Sequence, residues 1–360
     1  MLHRIIISGG GTGGHIFPAV AIANEIKRRY PSCDILFVGA SGRMEMEKVP
    51  AAGFKIIGLP ITGIQRKLTL SNLLVPFRLL RSIRMAKKII SDFKPQVVIG
   101  VGGYASAAVL YVASGNKIPS LIQEQNSFAG LTNKWLGKKV ARICVAYPDM
   151  EKFFPAGKIV LTGNPVRAEL HAANSLSKKD ARTKLGFDPG KPLVLVTGGS
   201  LGARTINLSM GNIARDLDEK GIQVLWQTGR FYQADTEHLR HVKASAFIED
   251  MATAYAAADI VVSRAGAISV SEISLLGKAA ILIPSPNVAE DHQTKNAMSL
   301  VNRHAAVLLK DKDAASQLMD HIENLIKDTG LQSVLSKHIL EFAKPDALKH
   351  IVNEIEKLAN

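Results

Sequence analysis

IIISGGGTGGH, residues 5–15, is a run of three β-branched apolar residues that passes through glycines directly into a helical pattern. A buried strand feeding a helix this way is the opening unit of a parallel sheet, since the next strand must return by a crossover. The same device recurs at residues 193–203 as LVLVTGGSLGA. Around the first copy, Arg4–Ser8, Asp34–Gly39, Lys55–Leu59, Val97–Val101, Ser120–Gln123 and Ile143–Ala146 read as strands. Around the second, Leu193–Thr197, Gln223–Gln227, Ala244–Phe247, Ile260–Ser263, Ala280–Pro284 and Ala306–Leu309 do the same. Amphipathic stretches such as Ala19–Arg29 and Leu73–Asp92 lie between them. The alternation predicts two open α/β sheets with helices on both faces, a duplication rather than a solenoid.

A chain of 360 residues exceeds what one core usually organises, which agrees with two domains. Turn chemistry at Gly163-Asn164-Pro165-Val166-Arg167 places the boundary, giving domains over 1–165 and 166–343. A final helix over 344–360, set off by Pro345, is expected to pack back on the first domain.

Composition narrows the class further. With 47% hydrophobic and 21% charged residues, the chain reads as an ordinary globular protein. Cys33 and Cys144 sit in or beside apolar runs without metal or redox spacing, so they read as reduced packing residues. No charged n-region or cleavage site precedes Ile5, and no secretory signal is expected. The apolar run near Ala105–Ala113 is far short of the roughly 20 residues that span a bilayer. A net charge of +14 asks for an anionic partner: nucleic acid, a membrane surface or a charged substrate.

Gly9, Gly11 and Gly14 satisfy the G-x-G-x-x-G spacing of a dinucleotide fingerprint. That fingerprint also needs an acid at the end of the second strand to hold a ribose, and here the strand ends in Gly39-Ala40. What remains is a loop whose backbone can approach a ligand closely, followed by His15 at a helix start. The plain alternative for His15 is a capping or packing role. The second loop lacks the lysine of an ATP-binding P-loop, yet Ser200 and the following N–H groups suit a diphosphate. Further polar clusters fall where strands end: Gly102-Gly103-Tyr104, Glu124-Gln125-Asn126, Ser263–Glu272 and Asp291-His292-Gln293. Open α/β sheets place their ligands at those ends. Glu272, in a small and apolar helix start, is placed to accept the hydroxyls of a ribose.

The ordered strings GGGTGGHIFPA, GVGGYAS, QEQNSFAGLTNKWL, LTGNPVR, TGGSLGA, SRAGAISVSE and EDHQTKNA resemble the successive motifs of the MurG family. Its members are UDP-N-acetylglucosamine–N-acetylmuramyl-(pentapeptide) pyrophosphoryl-undecaprenol N-acetylglucosamine transferases. The resemblance runs from about residue 4 to residue 300. It implies a GT-B fold, two Rossmann-like doubly wound domains facing a cleft. It also implies transfer of N-acetylglucosamine from its UDP carrier to the C4 hydroxyl of the muramic acid of lipid I, with inversion, giving lipid II for peptidoglycan synthesis.

By motif position, Ser200 and Arg167 would meet the diphosphate and Ile248 the uracil through its backbone. Ala267, Ile268, Ser269, Val270, Ser271 and Glu272 would line the nucleotide, and Gln293 would hold the sugar. Thr12, Gly13, Gly14 and Asn126 would complete the donor site, with Gly103 and Tyr104 on the acceptor side. Some relatives carry two glutamines where this chain has Gln293-Thr294, which sets Thr294 apart. Direct displacement needs a base and stabilisation of the leaving diphosphate. His15 is the first candidate for the base and Glu124 the second, and either could instead orient substrate. Helix N–H groups and Arg167 would take the leaving charge, so no dedicated metal or cofactor is expected, with free Mg²⁺ left to assist product release. The strings Asp216-Leu217-Asp218 and Asp311-Lys312-Asp313 read as solvated charges.

The stretch over 64–90 interleaves Leu73, Leu74, Phe77 and Leu80 with Arg66, Lys67, Arg78, Arg81, Arg84, Lys87 and Lys88. Part of it must be an ordinary amphipathic helix on the sheet. Its basic and apolar mixture suits an anionic membrane, with Leu73, Leu74, Phe77, Arg78 and Arg81 as the patch. No nucleic-acid motif accompanies it. The expected location is therefore peripheral, on the cytoplasmic face of the plasma membrane. A nucleotide-sugar epimerase and a non-catalytic sugar-nucleotide module are the alternatives; the first would need no membrane patch, and the second no His15, Glu124 and Glu272 together.

Overall fold

The structure, a computed structural model, describes residues 1–61, 75–199 and 201–360. It divides into two compact units, Met1–Val166 with Pro345–Asn360, and Arg167–Lys344.

In the first unit the strands are β1 (Arg4–Ser8), β2 (Asp34–Ala40), β3 (Lys55–Leu59), β4 (Val97–Gly100), β5 (Ser120–Glu124), β6 (Arg142–Val145) and β7 (Ile159–Leu161). They form a parallel sheet in the order β3-β2-β1-β4-β5-β6-β7. Ile5, Ile6 and Ile7 are all fully buried, so side chains on both faces of β1 are covered. That is why the strand is an unbroken apolar run rather than an alternating one. Helices α1 (Gly13–Arg29), α2 (Glu45–Ala51), α3 (Val75–Phe93), α4 (Tyr104–Gly115) and α5 (Leu131–Gly137) cover the sheet. The C-terminal helix (Ala347–Ala359) buries Ile351, Val352 and Ile355 in the same core as Ile5, Ile7, Ile22 and Ile26. Each such side chain contributes roughly 2 kcal/mol by leaving water. Arg29 of α1 fixes the register by donating to Asn353 and Glu356.

In the second unit β8 (Leu193–Thr197), β9 (Gln223–Gln227), β10 (Val242–Ser245), β11 (Ile260–Ser263), β12 (Ala279–Leu282) and β13 (Val307–Leu308) form a parallel sheet in the order β10-β9-β8-β11-β12-β13. Its helices are α6 (Lys178–Lys184), α7 (Arg204–Glu219), α8 (Met251–Ala257), α9 (Ala267–Leu275), α10 (His292–Val301), α11 (Ala314–Lys327) and α12 (Thr329–Leu340). β10 begins two residues before its expected start, because Val242 pairs with Val224 and packs in the core.

Each sheet has one place where the chain order reverses, between β1 and β4 and between β8 and β11. There the two following loops leave in opposite directions and open a crevice at the carboxyl ends of the strands. Both glycine loops lie at these points.

Candidate functional site

In the first unit, the loop after β1 is shaped by close approach. Gly10 N–H donates to the Gly102 carbonyl at 3.3 Å, and a Cβ on Gly103 would lie 2.6 Å from the Gly10 oxygen. Gly102 and Gly103 have φ of +98° and +86°, a region that suits glycine. Thr12 and Gly14 are exposed and Gly13 half-buried at the start of α1, with no side chain capping the helix. His15 is half-buried and its Nδ1 lies 2.9 Å from the Gly10 carbonyl. Tyr104, at the start of α4, is exposed.

Sequence reasoning missed the residue behind this loop. Glu45 is 1% exposed, and its two oxygens accept Ala40 N–H and Gly11 N–H, each at 2.9 Å. An acid does stand just beyond the second strand, then, but it is spent on backbone rather than offered to a ribose. A signal existed in the sequence: a glutamate between two methionines, Met44 and Met46, where α2 begins soon after β2.

Glu124 is likewise buried, and four donors surround it. Oε1 accepts from the N–H and the side-chain amide of Asn126, at 3.1 and 3.3 Å; Oε2 accepts from Gly130 N–H at 3.2 Å and Asn133 Nδ2 at 2.8 Å. This carboxylate orders the loop that carries Asn126. Both of its oxygens are occupied by these donors. Beside it, Gln123 Nε2 donates to Asn164 Oδ1 at 3.0 Å and Asn164 Nδ2 donates to the Gln125 carbonyl at 3.0 Å. The network ties the LTGNPVR turn to the end of β5.

In the second unit, the loop after β8 packs against β9. A Cβ on Gly202 would lie 1.9 Å from the Thr228 carbonyl, and Gly202 has φ of +76°. Gln227 Nε2 donates to the Gly199 carbonyl at 3.0 Å, while its Oε1 accepts Ile248 N–H at 3.0 Å. The buried amide therefore joins the glycine loop to Ile248 and leaves the Ile248 carbonyl as that residue's backbone group for a ligand. Ser200 lies outside the described residues. α7 starts without a side-chain cap or an acid in its first turn, an arrangement that favours an anion.

α9 starts in the same manner at Gly266, with Ala267 and Val270 buried and Ile268, Ser269 and Ser271 half-buried along its first turns. Glu272 is 5% exposed. Arg167 grips it through Nε at 2.9 Å and Nη2 at 3.2 Å, and Tyr255 donates from its hydroxyl at 3.3 Å. Burial pushes the Glu272 carboxyl above its ordinary range, and Arg167 pulls it back. Burial, followed by the Glu272 charge, raises the Tyr255 hydroxyl well above its usual value.

Gln293 Oε1 accepts Ser285 N–H at 2.9 Å, which orients its amide. Just before it, Glu290 and Asp291 both adopt positive φ, at 54° and 52°, a backbone strain that functional loops often hold. Thr294 donates to Asp291 Oδ1 at 2.7 Å and so braces this turn.

The aspartate strings need a correction. Asp311 is not a solvated charge: it pairs with Arg264 and accepts from Thr205 at 3.0 Å. Asp218 accepts His241 N–H at 2.5 Å. Among the described residues no three His, Cys, Asp or Glu side chains gather as a metal-binding group. Cys33 and Cys144 are buried, and burial pushes the Cys144 thiol up to about 12.

On the first unit, α3 turns Ala86, Ile89 and Ile90 inward and leaves Phe77 70% and Leu80 55% exposed. Arg81, Arg84, Lys87 and Lys88 are exposed on the same helix, and Arg78 is half-buried. Leu73, Leu74, Arg66 and Lys67 lie outside the described residues. Two aromatic residues missed in the sequence extend this surface. Tyr111 of α4 stacks on Trp135 of α5 at 5.6 Å, with Lys139 over both rings. A groove of about 470 Å³ joins Lys87 of α3 to Tyr111 and Lys139. No helix among the described residues is long and apolar enough to cross a membrane.

Residues 5–145 match the Glycosyltransferase family 28 N-terminal domain, and residues 193–351 match the Glycosyltransferase family 28 C-terminal domain. The chain is 58% identical over 322 residues to the UDP-N-acetylglucosamine–N-acetylmuramyl-(pentapeptide) pyrophosphoryl-undecaprenol N-acetylglucosamine transferase of Parabacteroides distasonis, with 86% of each chain covered. It is 56% identical over 360 residues to the protein of the same name from Cytophaga hutchinsonii, covering 99% of this chain and 97% of that one. Among solved structures, the crystal structure of MurG from Acinetobacter baumannii superposes with a TM-score of 0.76 at 29% identity, over 99% of both chains.

Proposed function

The chain belongs to glycosyltransferase family 28, and on that premise we propose that it moves N-acetylglucosamine from UDP-N-acetylglucosamine to the C4 hydroxyl of the muramic acid of lipid I, giving lipid II. It is a hexosyltransferase of peptidoglycan synthesis. The observation that carries this reading is the identity, sustained over nearly the whole length, to relatives named for that transfer.

The geometry supports a division of labour. In the second unit, the Ile248 carbonyl meets the uracil and Glu272 the ribose. The ribose hydroxyls compete with Arg167 for Glu272, and Arg167, whose side chain is 43% exposed, turns to the diphosphate. The uncapped start of α7 adds its N–H groups to the leaving charge. Gln293 holds the sugar. In the first unit, His15 receives the proton of the attacking hydroxyl, Thr12, Gly13, Gly14 and Asn126 complete the donor contacts, and Gly103 and Tyr104 face the acceptor. Retention of these side chains together argues against a non-catalytic module, and the names of the relatives argue against an epimerase.

The exposed face of α3, with Tyr111 and Trp135, supports peripheral docking on an anionic bilayer, where a polyprenyl acceptor resides. Purified protein given UDP-N-acetylglucosamine and a lipid-linked muramyl acceptor should release UDP only when the acceptor is present. Conversion of the sugar nucleotide alone would overturn the transfer. Replacing Phe77, Arg78 and Arg81 together should abolish co-sedimentation with anionic vesicles, and unchanged co-sedimentation would remove the membrane face.

A further inference from the structure

The peptide group between Gly10 and Gly11 has a carboxylate on one side and an imidazole on the other. Its N–H, on Gly11, donates to Glu45 Oε2 at 2.9 Å; its carbonyl, on Gly10, lies 2.9 Å from His15 Nδ1. A carbonyl can only accept, so His15 Nδ1 must carry a hydrogen, and in the neutral ring the lone pair is then on Nε2. Glu45 is held on its other oxygen by Ala40 N–H, which fixes the carboxylate behind the loop. Close packing makes the line rigid. A Cβ on Gly10 would lie 2.2 Å from Glu45 Oε1, and one on Gly102 would lie 2.8 Å from His15 Nε2.

We infer that Glu45 is a positioning residue for the transfer, acting on His15 through the Gly10–Gly11 peptide. The inference rests on the reading of His15 as the base. The carboxylate polarises the peptide, the peptide carbonyl becomes a stronger acceptor, and the ring is held in the tautomer that presents Nε2. In the reaction, Nε2 takes the proton of the C4 hydroxyl as its oxygen bonds to C1 of the donor sugar. The bond from C1 to the diphosphate oxygen breaks, and its electron pair leaves with UDP. The imidazolium so formed lies at the carbonyl, the negative end of the peptide dipole, and the Glu45 charge beyond it stabilises it further. The logic is that of an aspartate supporting a catalytic histidine, with a peptide group interposed. The carboxylate sits 34 residues from the glycine it holds, beyond the reach of the loop motif.

Nitrogen-15 spectra of the histidine side chains, with the His15 signal assigned by its loss in His15→Ala, read the tautomer directly. The wild-type protein should show His15 with Nδ1 protonated, and Glu45→Gln should mix the tautomers. Glu45→Gln should also lower kcat by about tenfold or more while the donor KM stays within about twofold. In a His15→Ala background the same substitution should cost less than about twofold more, as expected for residues acting in one line. A wild-type His15 protonated on Nε2 would overturn the inference, as would an equal loss from Glu45→Gln with His15 already removed. Should Glu45→Gln fail to fold, the wild-type tautomer still decides. Full activity in His15→Ala would remove the base reading and leave the tautomer result standing on its own.

Discussion

The two glycine loops look alike in sequence and occupy equivalent points in their sheets, yet the side chain behind each is opposite in kind. Behind the first stands Glu45, a buried negative charge that accepts the Gly11 N–H. Behind the second stands Gln227, a neutral amide that donates to the Gly199 carbonyl. The first arrangement uses an N–H that an anion would want and adds a like charge at short range. The second ties down a carbonyl that would have repelled a phosphate. In a poorly screened interior that difference is large. On the proposed reading, the same backbone device serves a histidine in one unit and a diphosphate in the other.

This contrast can be broken or sharpened by substitution. The largest effect is expected at Gly202, whose Cβ would meet the Thr228 carbonyl at 1.9 Å. Gly202→Ala should destabilise the second unit by about 3 kcal/mol or more in chemical denaturation, from overlap and positive φ together. Gly11 has φ of +88° but nothing within 4 Å, so Gly11→Ala should cost only about 1 kcal/mol.

Gln227→Glu would give the second loop the charge of the first. Calorimetric titration should show UDP binding weakened by about ten- to a hundredfold, since the substitution adds repulsion and removes the donor to Gly199. By the same measurement, Glu45→Gln should leave UDP affinity within about twofold, because on the proposed reading the second unit takes the diphosphate charge and the first loop adds only contacts beyond it. Tight UDP binding by Gln227→Glu would end the comparison.

The smallest effect concerns pH. Burial raises the Glu272 carboxyl above its usual 4.5. A raised carboxyl favours the fold while protonated, and that contribution is lost as pH rises through the shifted value. Glu272→Gln should flatten this decline in thermal unfolding as pH rises above about 4.5, and the change should be the smallest of the set because Arg167 offsets the ionised form.

Much of the fold was legible because strands buried on both faces cannot alternate. Ile5-Ile6-Ile7 and Leu193–Thr197 announce themselves as apolar runs, and the glycines after them announce the turns. Charges in helical or turn segments were harder to place. Asp311 reads as solvated because its partner, Arg264, is 47 residues away. Tyr111 and Trp135 carried no signal in the sequence, and only their exposed stacking brings them together. Glu124 reads as a free acid until Asn126, Gly130 and Asn133 are found around it.

By itself, the sequence determined two parallel sheets, a glycine loop at the head of each, and an order of motifs that fits one family of sugar transferases. These follow from local rules: apolar runs make buried strands, and glycine permits the turns that end them. Only the tertiary structure decided which loop carries a charge behind it. That choice depends on Glu45 reaching Gly11 and Gln227 reaching Gly199, contacts across 34 and 28 residues of chain. Electrostatics acts through space, so chemistry written alike in the two loops became different once the chain had folded.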